Sequence, residues 1–431
     1  MAEEAIPANS PIRKKRQVRL AEFLTAGILL LPLLWYIPTK ALSWNTAGDY
    51  LGSIGLLAVI ASLMLMLRFA WLTHHAGGLE NMYRLHRAFG MAAYVILLLH
   101  PLVLAHDFGW QALAPTGKSW GFVAGWLALL LLMTTLLFTF VLRPAGYAKW
   151  RNLHWLTALA YVAMLGHVIY YQRDWPLPVI LVVDGLLLFG TLAPAVRYFV
   201  IDRGVVASSF RVDSVNRPIP GVIDVRLAPQ RKPLVIKPGQ FVFVRFLPGE
   251  NYTGCAHFHP FTASSVFDDG ALRLSIKANG KCTEMMQGLE AGARARVQGP
   301  FGHLFENVRQ NVSIWIAGGI GITPFLARAR MLDPNAGKVK LFYVVNDEAA
   351  APYIPELRDV ARSNPNFQFY PVITHGVREV SISVFDAMLP PWDDKDYVLC
   401  GPPGMTDSVR NYLTRHGVMP DHIHEEKFDF R

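Results

Sequence analysis

The stretch HRAFGMAAYVILLLH (86–100) decides how this chain is read. Between its two histidines only Arg87 carries a charge. Histidine inside a run apolar enough to cross a bilayer is costly and usually functional. A second such stretch, HWLTALAYVAMLGH (154–167), repeats the pattern. His86 and His154 begin their runs, and His100 and His167 sit toward the far ends. At 1.5 Å per residue, these spacings of 14 and 13 separate the histidines of each run by roughly 20 Å. Two helices with histidines at matched depths offer two bis-imidazole sites, one above the other, and haem iron accepts imidazole ligands. One point resists. At about 100° per residue, 14 residues return nearly to one face, while 13 land roughly 140° away. A bulge at Gly166 or a bend at Pro101 is the expected remedy.

Working outward, apolar runs of about 20 residues recur at 21–39, 50–72, 85–106, 121–142, 152–171 and 177–199, six expected membrane spans. Composition agrees. Of 431 residues, 52% are hydrophobic and only 17% charged, against about 25% charged in soluble domains. The net charge of +9 comes from basic residues scattered between apolar blocks, so loops on one membrane face explain it better than nucleic acid. Arg13, Lys14, Lys15, Arg16, Arg19, Arg68, Arg84, Arg87, Arg143, Lys149, Arg151, Arg197 and Arg203 fall on one side. The other side holds only Lys40, Lys118 and Arg173. The positive-inside rule makes both termini cytoplasmic, with residues 1–20 a basic arm. The run after RKKRQVR (13–19) lacks the short core and cleavage site of a signal peptide. Cys255, Cys282 and Cys400 are too few and too far apart for a disulfide framework, a zinc site or an iron–sulfur cluster.

Beyond residue 200 the sequence is of soluble type. FRVDSV, GVIDVRLA, FVFVRF, ALRLSIKA and ARARVQG, within 205–307, alternate with Pro/Gly turns and predict an antiparallel β-barrel. From 308 to 431 the order is strand, Gly-rich turn, helix, which predicts a parallel α/β domain. In SIKANGKCTEMM (275–286), Lys277 and the turn Gly280-x-x-Thr283 at a helix start suit a pyrophosphate. AGGIGITPF (317–325) follows an apolar strand and opens a helix, another phosphate-binding arrangement, although not the usual Gly-x-Gly-x-x-Gly. CGPPGM (400–405) puts Cys400 at a strand's carboxyl end, where α/β folds bind ligands.

The ordered set PGQF (238–241), HPFT (259–262), GPFG (299–302), AGGIGITP, CGPPGM and a C-terminal aromatic resembles the ferredoxin–NADP reductase superfamily. Joined to six spans with histidines 14 and 13 apart, it looks like the NADPH oxidase and ferric reductase family over nearly the whole chain. The resemblance implies that His259, Pro260, Phe261 and Thr262 contact FAD, and that Lys277, Gly280 and Thr283 hold its pyrophosphate. It gives Gly318, Gly319, Gly321, Thr323 and Pro324 to NADPH or NADH. Cys400, Gly401 and Pro402 lie beside the nicotinamide, with Cys400, Thr262 and Phe428 nearest the chemistry. Phe428 or Phe430 covers the flavin, Phe428 being preferred. His86 with His154 holds an inner haem b, and His100 with His167 an outer one. The implied activity is that of an NAD(P)H oxidase-type flavohaem enzyme in a bacterial plasma membrane. Its acceptor on the far side is dioxygen by preference, with a ferric chelate or an extracytoplasmic redox protein as alternatives. No nucleic acid or obligate protein partner is implied. Departures bear on the acceptor. Oxygen-reducing members carry an Arg at the outer end of the second span, where this chain reads Gly48-Asp49-Tyr50. They also carry a His one turn past the outer ligand, where it has Leu104, with His106 two further. There is no EF-hand loop. Near the 2′-phosphate region, Asn346-Asp347-Glu348 would repel a phosphate and Arg378 attract one.

Overall fold

The computed structural model describes residues 22–33, 43–113, 119–142, 147–249, 252–308, 312–334, 337–374 and 395–426. They form two compact units, one from Lys15 to Phe199 and one from Val200 onward.

The first unit is helical: α1 (Glu22–Leu33), α2 (Trp44–Met64), α3 (Ala70–His75), α4 (Leu79–Phe108), α5 (Trp120–Leu142), α6 (Tyr147–His154), α7 (Leu156–Gln172) and α8 (Leu177–Val196). Ser43 starts α2 from an extended conformation, its hydroxyl accepting from the Thr46 N–H at 3.1 Å. Five helical stretches, over 44–64, 79–108, 120–139, 149–172 and 177–201, are long and apolar enough to cross a membrane. Among the described residues these are the five candidates, and the sixth expected span is not confirmed. Within the described residues the first run is only α1, too short to span alone. Leu99, Leu130, Leu137, Val162, Leu181 and Leu188 face outward, the side-chain distribution of a body dissolved in lipid. Met66, in the turn after α2, accepts at 2.8 Å from Arg197 past the end of α8. At the other end Asp107 accepts from the Asn45 N–H at 2.9 Å. α4 packs along α2, and α7 along α5.

The second unit begins with a closed antiparallel barrel, strand order β1-β2-β5-β4-β3-β6. Its strands are β1 (Ser208–Ile219), β2 (Val222–Pro229), β3 (Phe241–Phe246), β4 (His259–Val266), β5 (Leu272–Lys277) and β6 (Arg294–Phe301). Phe210, Val225, Val242, Val244, Leu274 and Ile276 fill its core. The short helix α9 (Lys281–Met285) follows β5. Then comes a parallel five-stranded sheet of order β11-β10-β7-β8-β9. Its strands are β7 (Val312–Gly318), β8 (Lys338–Val345), β9 (Phe367–Ile373), β10 (Asp396–Cys400) and β11 (Ile423–Glu425), with helices α10 (Thr323–Arg330), α11 (Ile354–Ser363) and α12 (Pro403–Arg415). Residues of β7 alternate between two cores. Ile314 and Ile316 face Phe342, Leu399 and Val409, while Trp315 and Ala317 face Phe325, Leu341 and Tyr343.

A polar lock joins sheet to barrel. Glu356 on α11 accepts from Arg273 of β5 at 2.9 Å and from Arg330 of α10 at 2.8 Å. Beside it, buried Asp224 accepts from Ser275 at 2.6 Å and from the Tyr353 hydroxyl at 2.8 Å. Burial raises the Tyr353 pKa, keeping that hydroxyl a donor.

Candidate functional site

Two histidine pairs form between α4 and the consecutive helices α6 and α7. The ring centroids of His86 and His154 are 6.3 Å apart at 75°, and those of His100 and His167 are 6.3 Å apart at 84°. Two imidazoles sharing one metal through their Nε2 atoms need about 2.0–2.1 Å of bond plus roughly 1 Å of ring on each side, about 6 Å in all. Both pairs meet that requirement. α4 packs chiefly along α2 and α7 along α5.

The orientation of these rings comes from helices that bear no ligand. His100 Nδ1 donates to Gly48 O at 2.7 Å, and His167 Nδ1 to Gly121 O at 2.9 Å. One turn on, a Cβ on Gly52 would lie 3.0 Å from His100 Cε1, and one on Gly125 would lie 2.5 Å from His167 Nδ1. Each ring therefore lies in a notch cut by one glycine and is held by the carbonyl of another. His86 Nδ1 donates to Ser62 O at 2.9 Å. His154 Nδ1 is buried without a hydrogen-bond partner among the described residues, its ring stacked on Trp150 at 5.1 Å. With Nδ1 engaged, His86, His100 and His167 keep Nε2 available to a metal.

No bulge interrupts α7 at Gly166. Gly166 and Pro101 lie inside continuous helices. The α-helical ladder breaks instead at Trp155, between α6 and α7. There Ala158 N–H donates to Trp155 O at 3.0 Å, an overwound i→i+3 turn.

In the soluble unit, His259, Pro260 and Phe261 of β4 are half-buried and Thr262 is buried. Their strand pairs with β3, Thr262 opposite Phe241. Burial, then the neighbouring His257 charge, holds the His259 pKa below its usual value. Gly280, at φ 98°, turns the chain into α9, and no side chain caps that helix. Thr283 closes the turn, its hydroxyl accepting from the Asn279 N–H at 2.7 Å. Lys277 ends β5, exposed.

In the sheet, β8 and β9 extend to one side of β7, and β10 and β11 to the other. The order therefore reverses between β7 and β10, whose carboxyl ends form the crevice where such sheets take ligands. Gly318 and Cys400 stand at those ends, with Cys400 opposite Ala317. The helices that follow, α10 with Pro324 in its first turn and α12 after Pro402, lack side-chain caps. Gly319, at φ 53°, has nothing within 4 Å of a would-be Cβ. Gly321 differs: its Cβ would meet Cys400 O at 2.5 Å, and that of Gly401 would lie 3.0 Å from Gly318 Cα. These glycines let two loops pack backbone on backbone, whereas Gly319 faces open space. Thr323 is buried beneath them, its hydroxyl donating to Ile320 O at 3.2 Å. The Cys400 thiol is buried, and burial with Glu426 and Glu425 pushes its pKa well up, so it stays neutral.

Three family models match in succession: a ferric reductase like transmembrane component over residues 51–165, an FAD-binding domain over 208–319, and an oxidoreductase NAD-binding domain over 315–411. The chain has the ferric reductase / NADPH oxidase-type architecture. Among curated relatives, an anthranilate 1,2-dioxygenase electron transfer component of Acinetobacter baylyi is 29% identical over 150 residues, 32% of this chain and 43% of that one. A 3-ketosteroid-9-alpha-monooxygenase ferredoxin reductase component of Mycobacterium tuberculosis is 26% identical over 216 residues, 48% of this chain and 58% of that one. The chain thus spans about half the length of these relatives. A solved Amycolatopsis cytochrome P450 reductase covers 52% of this chain and 69% of its own, at 24% identity and TM-score 0.45.

This ferric reductase / NADPH oxidase-type chain corrects one reading of the cysteines. Cys255 and Cys282, 27 residues apart, form a disulfide with Cα atoms 5.9 Å apart. Distance in sequence misled because β4 and β5 return the chain between them. Phe428, Phe430 and Arg378 lie outside the described residues, as does the basic arm. Glu426, just before them, rests against Gly302 of the GPFG turn. The residues missed from sequence are Gly48, Gly52, Gly121 and Gly125. Their signal was two Gly-x-x-x-Gly pairs on the helices packed against the histidine-bearing ones.

Proposed function

We propose that this chain carries electrons from cytosolic NADPH or NADH, through FAD and two haems b, to an acceptor on the far side of a bacterial plasma membrane. The observation that carries the reading is the pair of histidine couples with one common ring separation of 6.3 Å. His86 with His154 would hold the inner haem, and His100 with His167 the outer. Bound there, FAD would supply two-electron acceptance from a nicotinamide and the haems would supply single-electron transfer. The protein's part is positional. Ser62, Gly48 and Gly121 fix the imidazoles. Gly280 and the start of α9 receive the FAD pyrophosphate, and Gly319 with the start of α10 receives that of the nicotinamide nucleotide. Neutral Cys400 adds bulk beside the nicotinamide without a charge. The electron-transfer and reductase names of the curated relatives support the direction of flow.

For the acceptor, the 14- and 13-residue spacing favours dioxygen, giving superoxide. A ferric chelate is the second reading. It is favoured by Leu104, which packs over Gly48 beside His100. Neither α2 nor α4 beyond His100 carries an Arg or Lys to hold a superoxide anion. His106 pairs instead with Asp107 at 2.9 Å. The test uses full-length protein in liposomes, with NAD(P)H on the module's side. Superoxide-specific trapping and ferric chelate reduction are followed outside. Reduction of neither acceptor, with the haems reduced, leaves an extracytoplasmic redox protein as the electron sink. NAD(P)H that fails to reduce any haem overturns the route.

A further inference from the structure

The disulfide lies within the flavin cradle. Cys255 precedes β4, the strand of His259-Pro260-Phe261-Thr262, and Cys282 is the second residue of α9, which follows Gly280. The bond therefore ties the strand read as contacting FAD to the helix start read as holding its pyrophosphate. α9 is only five residues long. Cys255 is buried and Cys282 half-buried, so Cys282 is the more accessible of the two. His259 Nε2 lies 3.2 Å from Cys255 Sγ.

We infer that Cys255 and Cys282 form a reversible thiol–disulfide site whose reduction by a dithiol loosens FAD. The inference rests on the reading above that this barrel binds FAD on the cytosolic side. Standing disulfides are rare there, and those that occur are mostly transient and redox-sensing. In the exchange, a thiolate of the dithiol attacks Cys282 Sγ. The Cys255–Cys282 bond breaks as the mixed disulfide forms, and Cys255 leaves as a thiolate. His259, as the Nε2–H tautomer, donates to that leaving sulfur, which speeds its departure. The second thiol of the dithiol then attacks the mixed disulfide and frees Cys282. The dithiol closes to its own disulfide, and two electrons and two protons have passed to the cysteine pair. Without the bond, α9 is no longer held to β4, and FAD must order the cradle as it binds.

The experiment takes the full chain in detergent, air-oxidised or treated with dithiothreitol. Cysteines are counted by alkylation and mass spectrometry, and FAD affinity is measured by equilibrium dialysis. Cys255 and Cys282 should be blocked in the oxidised protein and alkylated after reduction. FAD should bind about tenfold more weakly once reduced, preorganisation being lost. Reoxidation should restore the affinity, and a Cys255→Ser/Cys282→Ser chain should show the weak value in both conditions. If that variant fails to fold, the parent titration still decides. Equal FAD affinity in both states overturns the switch and leaves the FAD site standing. Binding in neither state overturns the FAD site itself. A reduced parent that retains one zinc per chain makes Cys255, His259 and Cys282 a metal site, whose donor atoms lie within 4.8 Å of one another, and overturns the switch.

Discussion

Glycine does opposite work in the two units. In the membrane helices, Gly52 and Gly125 make notches for imidazole rings, while Gly48 and Gly121 supply the carbonyls that aim them. In the nucleotide sheet, Gly321 and Gly401 instead let backbone pack on backbone, with the Met405 side chain also against Gly401. The proposed cofactor ligands in the first unit are thus side chains aimed by backbone. In the second unit, the backbone itself is the expected ligand. A side chain can be replaced by one mutation, but a backbone arrangement yields only when it is pushed apart.

The sharpest way to break this contrast is at the histidines. His100→Ala should take the haem content from two to one per chain, measured by pyridine haemochrome, with the inner haem's spectrum intact. Gly125→Val, which replaces no expected ligand, should do the same, because its Cβ would overlap His167. An unchanged content of two in Gly125→Val would mean the notch is incidental.

Next comes the lock between barrel and sheet. Glu356→Ala leaves Arg273 and Arg330 facing each other. It should cost about 2–3 kcal/mol, less than the 3–5 of a fully buried pair because these groups keep some exposure. Flavin release on heating reads the loss. A shift below about 0.5 kcal/mol would show that the apolar contacts alone join the two domains.

Gly321→Ala pushes the β7 and β10 loops apart. It should weaken NADH and NADPH alike, up to about a hundredfold, while dithionite still reduces the flavin. A selective loss of one nucleotide would mean that the loops read the 2′-phosphate instead.

Smaller effects concern Phe428, two residues past Glu426 and so within about 7 Å of reach from it. If Phe428 stacks on the flavin face that nicotinamide must use, Phe428→Ser should tighten nicotinamide by roughly 2- to 13-fold. Phe428→Trp should weaken it. Equal affinities in both variants shift the stacking role to Phe430.

The smallest effect is the pH response of His259. Its folded pKa lies below the ordinary 6.5, so the folded barrel binds its proton less readily than the unfolded chain does. Stability is therefore full above pH 6.5 and lost as pH falls through the depressed value. His259→Asn should flatten that decline in urea titrations of the oxidised chain.

Much of this molecule was legible because its chemistry repeats along the chain with a helical or strand period. Apolar runs announce the spans they can fill, alternation announces the barrel, and the order of the HPFT, AGGIGITP and CGPPGM motifs announces the two nucleotide domains. These patterns depend on neighbours in sequence, and lipid or a barrel interior enforces them locally. Other features depend on contacts between distant segments. The hydrogen bonds from His100 to Gly48 and from His167 to Gly121 cross between helices, so a histidine's own run could not disclose them. The overwound turn at Trp155 is a break in the helical ladder that the apolar run itself does not announce. The Cys255–Cys282 pairing exists because two strands bring those residues back together. Sequence by itself determined which segments enter the membrane and which fold as a barrel or a sheet, because hydropathy and period act over a few residues. Only the tertiary structure decided how each imidazole is aimed and which cysteines meet, because those outcomes depend on distances of a few ångströms between parts of the chain far apart in sequence.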